Sequence, residues 1–92
     1  MMHVKYFAYY RDITGRKDED IPAPGILGDL LRSLADRYGE NMRRRLLSPD
    51  RLELGPDAIV LINGRSIAHL GKLEAPLCDT DTVSIFPIVA GG

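Results

Sequence analysis

One stretch of the chain has a long helical period, and most of what surrounds it has the period of a strand. Leu27, Leu30, Leu31, Leu34, Ala35 and Tyr38 are spaced 3, 1, 3, 1 and 3 residues apart, the apolar stripe of an amphipathic helix. Asp29 stands in its first turn, where the positive end of the helix dipole favours an anion. Gly39 is placed to close it as the C′ residue. A single helix cannot bury such a stripe against itself, so the rest of a 92-residue chain must supply the opposite layer.

Strand patterns supply that layer. From His3 to Tyr10 the side chains alternate, with Met2, Val4, Tyr6 and Ala8 on one face and His3, Lys5, Phe7 and Tyr9 on the other. Gly15 marks a turn. The charged run from Arg16 to Asp20 then leads to Ile21 and reads as an acidic, solvated edge strand, stopped by Pro22 and Pro24. Beyond the helix, Met42 to Leu47 predicts one more helical turn, with Arg43-Arg44-Arg45 as its solvated face. A loop from Ser48 to Asp57 precedes the apolar strand Ala58 to Ile62. Asn63-Gly64 then predicts a type I′ hairpin, because both residues tolerate φ > 0, and Arg65 to Ala68 is the returning strand. Pro76 to Asp81 reads as a turn, with the Asp79 and Asp81 carboxylates accepting nearby backbone N–H groups. Val83 to Phe86 is the last strand, with Val83 and Ile85 inward and Phe86 on the opposite face. The order strand, strand, helix, strand, strand, strand packs most simply as one mixed sheet with a helix on one face, an α+β chain of β-grasp type forming one domain over residues 1–92.

Charge and composition narrow the function. Twelve Lys and Arg against thirteen Asp and Glu leave a net charge of −1, without the basic excess that nucleic acid or an anionic membrane requires. No apolar run is long enough to span a bilayer, and the opening Met-Met-His-Val-Lys-Tyr-Phe lacks the apolar core and cleavage site of a secretory leader. A cytoplasmic protein is expected. The single cysteine cannot form an internal disulfide, and with His3 and His69 it makes no zinc spacing. There is no Gly-rich phosphate loop, no His-Glu-x-x-His and no nucleophile elbow. Cys78 sits beside Asp79, whose charge opposes thiolate formation, and reads as a loop or core residue. The expectation is a chain with no catalysis of its own and no bound metal or cofactor.

What remains is Gly91-Gly92. Two glycines cost the most conformational entropy to order and hold a fold together poorly. A tip without side chains suits a narrow channel in which any Cβ would clash, and it delivers the Gly92 carboxylate to a partner. A frayed terminus is the competing reading. Phe86, Pro87, Ile88 and Val89 tip the balance, since they put apolar surface just before the glycines. In a β-grasp sheet the first and last strands are neighbours, so Phe7 and Tyr9 are expected on the face that carries Phe86, together forming a docking surface.

The chain resembles the ubiquitin-like sulfur-carrier family, and within it the MoaD-type small subunits of molybdopterin synthase. The stretches that carry the likeness are Tyr6 to Asp12, Gly28 to Gly39, Leu61 to Arg65 and Asp79 to Gly92, in the family's order, with the terminal Phe-Pro-x-Val-x-Gly-Gly its specific part. The resemblance implies that an E1-like adenylating enzyme uses ATP and magnesium to activate the Gly92 carboxylate. Sulfide, or the persulfide of a sulfur donor protein, then yields a thiocarboxylate. It also implies that the large subunit of molybdopterin synthase receives the tail, with Phe7, Arg11 and Phe86 at the contact and Pro87, Ile88, Val89, Ala90, Gly91 and Gly92 leading into it. Arg11 reads equally well as a plain surface arginine. The sequence departs from the family where Thr is frequent before the helix: here Gly25, an acceptable cap, is followed by Ile26. The stretch Met42 to Asp57 is longer than in the smallest members, and Leu70 to Leu77 is similar to carriers serving cysteine synthesis. Carriers for cysteine or thiazole synthesis, a ubiquitin-like modifier joined to lysines, and a plain interaction module are the alternatives.

Overall fold

A computed structural model of the chain describes residues 1–88. Five strands form one mixed sheet: β1 (Met2–Tyr6), β2 (Asp18–Ile21), β3 (Ile59–Ile62), β4 (Arg65–Ser66) and β5 (Thr82–Phe86), in the spatial order β2-β1-β5-β3-β4. β1 and β5 lie parallel at the centre, and every other pairing is antiparallel. The helices are α1 (Tyr9–Thr14), α2 (Leu27–Tyr38) and α3 (Glu40–Leu46), with short 3₁₀ turns at Ile67–His69 and Lys72–Glu74. Met2, Val4, Tyr6, Val60, Ile62, Val83 and Ile85 from the sheet bury against Leu27, Leu30, Leu31, Leu34 and Ala35 of α2 and Met42 and Leu46 of α3. This is the β-grasp arrangement read from the element order. No helix among the described residues is long and apolar enough to cross a membrane.

The strongest local signals hold. α2 occupies the predicted stripe, and α3 supplies the additional turn. Asn63 and Gly64 have φ of 52° and 81°, as the hairpin demands. Asp81 accepts from the Cys78 backbone N–H at 2.8 Å and from the Asn63 side-chain amide at 2.8 Å, while Asp79 accepts from the Ala23 N–H at 3.4 Å.

Four local expectations are corrected. The first strand stops at Tyr6: Ala8 turns the chain with φ of 52°, Tyr10 N–H donates to the Phe7 carbonyl at 3.1 Å, and α1 follows. Six residues are too few for a helical period to stand out, but Tyr10 and Thr14 are buried one turn apart and Gly15 closes the helix with φ of 74°. The N-cap of α2 is Ile26 rather than Gly25, and no side chain caps it; the first helical N–H, that of Leu27, goes instead to the Ala75 carbonyl at 2.9 Å. β4 ends at Ser66, whose hydroxyl accepts from Ala68 N–H at 3.3 Å and starts the 3₁₀ turn. The edge strand β2 is acidic, but Glu19 points inward, its side chain only 5% exposed.

Candidate docking face

Alternation along the strands decides which side chains leave the core. On β1 and the residue beyond it, His3, Lys5 and Phe7 lie opposite the buried Met2, Val4 and Tyr6. The parallel register sets Tyr6 beside Ile85, so the next residues, Phe7 and Phe86, meet on the outer face. Their rings stack with centroids 4.1 Å apart and planes 11° from parallel. Ile59 pairs with Phe86 across the β3–β5 ladder and is 43% exposed, extending the apolar surface by one strand. Towards the other end the outer face becomes polar, through Lys5, Ser84 and His3, the last held by Asp20 at 2.8 Å and Asp18 at 3.4 Å.

Arg11 caps the stack. Its Nε–H donates to the Tyr6 carbonyl at 2.9 Å, and its guanidinium carbon lies 5.5 Å from the Phe7 ring centroid. The side chain is thus anchored at one nitrogen while the residue stays exposed. Beyond Phe86, Pro87 is half-buried and Ile88 is 48% exposed. Val89, Ala90, Gly91 and Gly92 lie outside the described residues. Of the residues singled out in the sequence, the structure therefore brings together Phe7, Arg11 and Phe86, with Pro87 and Ile88 following directly in the chain.

Tyr9, placed by alternation on the same face, is not there. Once the chain turns at Ala8, Tyr9 opens α1, and its hydroxyl donates to the Asp57 carboxylate on the far side of that helix. Burial, then the Asp57 carboxylate, raises the Tyr9 phenol above its ordinary pKa, so it stays protonated as the donor. Arg45 also leaves the solvated arginine face: its Nη1 donates to Asp57 Oδ2 at 2.7 Å, and its guanidinium lies 4.1 Å from the Tyr9 ring centroid. Sequence reading missed Ile59 as a surface residue, because the continuous apolar run from Ala58 to Ile62 hides the alternation that the ladder with Phe86 makes plain.

Among the described residues no three His, Cys, Asp or Glu side chains converge to hold a metal. Cys78 is an exposed free thiol in the turn before β5, and His69 is exposed in a 3₁₀ turn. What the outer face offers chemically is an apolar anchor with one fixed cation, set where the chain runs out towards Gly91-Gly92.

Comparison with known proteins agrees with this architecture. The pattern of the ThiS family matches residues 4–92. Small archaeal modifier protein 3 of Haloferax volcanii is 37% identical, the alignment covering 99% of this chain and 98% of that protein. The molybdopterin synthase sulfur carrier subunit of Emericella nidulans is 31% identical over 97% of this chain and 94% of its own. Among solved structures, a chain of the BexX/CysO complex of Amycolatopsis orientalis superposes with a TM-score of 0.80 at 26% identity, covering both chains completely. A β-grasp sheet and a family match over nearly the whole length agree: the chain belongs to the ThiS family of ubiquitin-like sulfur carriers.

Proposed function

We propose that this protein is a sulfur carrier whose reacting atoms are those of the Gly92 carboxyl, and that it serves molybdopterin synthesis as the small subunit of the synthase. The observation that carries the reading is the Arg11–Phe7–Phe86 stack, which puts an apolar anchor six residues ahead of Gly92 on the strand that leads to it. The likeness to the molybdopterin synthase sulfur carrier subunit supports the assignment of pathway. A carboxylate is a poor acyl donor. In the proposed cycle a Gly92 oxygen attacks the α-phosphorus of ATP on an E1-like enzyme, with magnesium bound there, and pyrophosphate leaves. The mixed anhydride then has AMP as a good leaving group. Sulfide displaces it directly; a donor protein's persulfide displaces it to form an acyl disulfide, whose S–S bond a thiol then cleaves, leaving a disulfide between that thiol and the donor, and either route ends at the thiocarboxylate. Phe7, Arg11, Phe86, Pro87 and Ile88 hold the partner while Val89 to Gly92 are delivered. The catalytic groups are those of the activating enzyme and the large subunit, and this chain contributes the reactive end.

A second reading shares the activation and differs in the acceptor. The 37% identity to a small archaeal modifier protein favours transfer of the activated Gly92 carboxyl to a lysine of another protein. Intact mass and a C-terminal peptide map of untagged protein from its own cells decide between them. One oxygen replaced by sulfur at Gly92 is the expected result. A Gly92 carboxyl joined to lysines of other proteins moves the function to a modifier. An unaltered carboxylate in every fraction, with activating enzyme and ATP supplied, removes both.

A further inference from the structure

We infer that Tyr9, Asp57 and Arg45 form a positioning network that holds the docking face from behind and sets how tightly the E1-like adenylating enzyme recognises it. The inference rests on the carrier reading. It begins with the shortness of α1, six residues that could not stay helical alone. Something else must fix this helix, because it carries Arg11 over the Phe7 ring. Two phenols do so, both at the same residue. Tyr10 OH donates to the Asp57 carbonyl at 2.6 Å, and Tyr9 OH donates to the Asp57 carboxylate. Arg45 Nη1 holds that carboxylate from α3 at 2.7 Å and lies over the Tyr9 ring at 4.1 Å, so the phenol is gripped at both its hydroxyl and its face.

Asp57 stands two residues before Ile59, the ladder partner of Phe86. The contacts therefore close a ring: Phe86 to Ile59, along the chain to Asp57, across to Tyr9 and Tyr10, through α1 to Arg11, and from Arg11 to Phe7, which stacks on Phe86. None of the three network residues needs to touch the partner. Each fixes the distance between the guanidinium and the aromatic pair, and recognition of a planar cation beside an apolar anchor is sensitive to such placement.

The test uses Tyr9→Phe, which keeps the ring under Arg45 and removes only the hydroxyl, and Asp57→Asn, which removes the charge and keeps the shape. Each full-length variant is assayed with ATP and a recombinant E1-like adenylating enzyme, following pyrophosphate release as carrier concentration varies. The Arg11 Nε–H signal is followed by NMR in the free protein. KM should rise by several-fold to about tenfold, the range of one ordinary lost hydrogen bond, with kcat unchanged because Gly92 is untouched. The Arg11 Nε–H, slow to exchange in the parent chain, should exchange faster in both variants. Folded variants with the parent KM and the parent Arg11 signal, whatever their melting temperature, overturn the inference and leave the network a plain structural contact. A parent chain that releases no pyrophosphate overturns the carrier reading instead; the Arg11 signal then still decides whether the network positions that side chain.

Discussion

Phe86 is held on two sides, by the Phe7 ring at 4.1 Å and by Ile59 across the ladder, and its remaining edge is the surface proposed to meet a partner. Replacing it with Glu removes the anchor and puts a charge into the contact. Binding to the large subunit of molybdopterin synthase should weaken by about 2 kcal/mol or more, roughly thirtyfold in Kd. Titration calorimetry measures this, and the unfolding midpoint should change little because the ring lies outside the core; unchanged affinity would mean that the docking face lies elsewhere. Gly55 makes the opposite kind of prediction. A Cβ there would sit 2.5 Å from the Arg45 carbonyl oxygen and 2.8 Å from the Leu47 nitrogen, both backbone atoms that cannot step aside. Gly55→Ala should cost about 1–3 kcal/mol in denaturant unfolding. In the sequence Gly55 looks like one more loop residue beside Pro56, because close approach of another backbone segment leaves no local mark.

Among the elements, the edge strand β2 is tied to α2 through the side chain of Glu19. Glu19 accepts from Tyr6 OH and Tyr38 OH, each at 2.5 Å, from Arg37 at 2.9 Å and from Arg16 at 3.4 Å. Burial opposes ionisation, but the two hydroxyls and then the two arginines more than offset it, and the carboxyl titrates below the ordinary glutamate range. A folded-state pKa below the unfolded one gives stability that is fully present above the unfolded value, about 4.3, and is lost as pH falls through the folded value. Glu19→Gln should therefore destabilise by about 1–3 kcal/mol at neutral pH and flatten the loss of stability in acid. Urea unfolding at a series of pH values checks this; a variant with the parent's acid slope would remove Glu19 as its source. The edge position of β2 was legible in its charges, but the inward turn of Glu19 was not. Every residue from Arg16 to Asp20 is charged, so alternation has nothing apolar to act on. The body of α2 was legible because a long stripe repeats its evidence over about three turns, whereas the start of α2, α1 and β4 were not, because their limits are set by distant partners such as Ala75 and Asp57 and by a single Ser66 hydroxyl.

Over the whole molecule, fold and function separate along the chain. The buried core closes at Ile85, while the proposed reacting group is Gly92. Deleting Gly92 should leave the unfolding free energy within about 0.5 kcal/mol, as for a surface change away from core contacts. It should also abolish thiocarboxylate formation, as mass spectrometry of the activated protein would show. Retained activation without Gly92 would contradict the proposed chemistry. Of the candidate face, the aromatic pair and the arginine were readable in the sequence and the structure brings them together, while the dipeptide lies outside the described residues. What joins the pair and the arginine was not readable, because the network behind the face draws on Tyr9, Arg45 and Asp57, 48 residues apart at the extremes.

The central pair of the sheet, β1 and β5, joins the first strand to the last. As the chain is made, β1 and β2 can pair early, but the middle of the sheet stays empty until Phe86 has left the ribosome. Such long-range closure is slow to nucleate and cannot be started from a fragment. The strand that finally fills the gap is also the one that leads to the tail. In the proposed carrier chemistry a half-made chain therefore has neither a core nor an end to activate, and folding itself would act as the checkpoint that keeps an activating enzyme from loading an incomplete carrier.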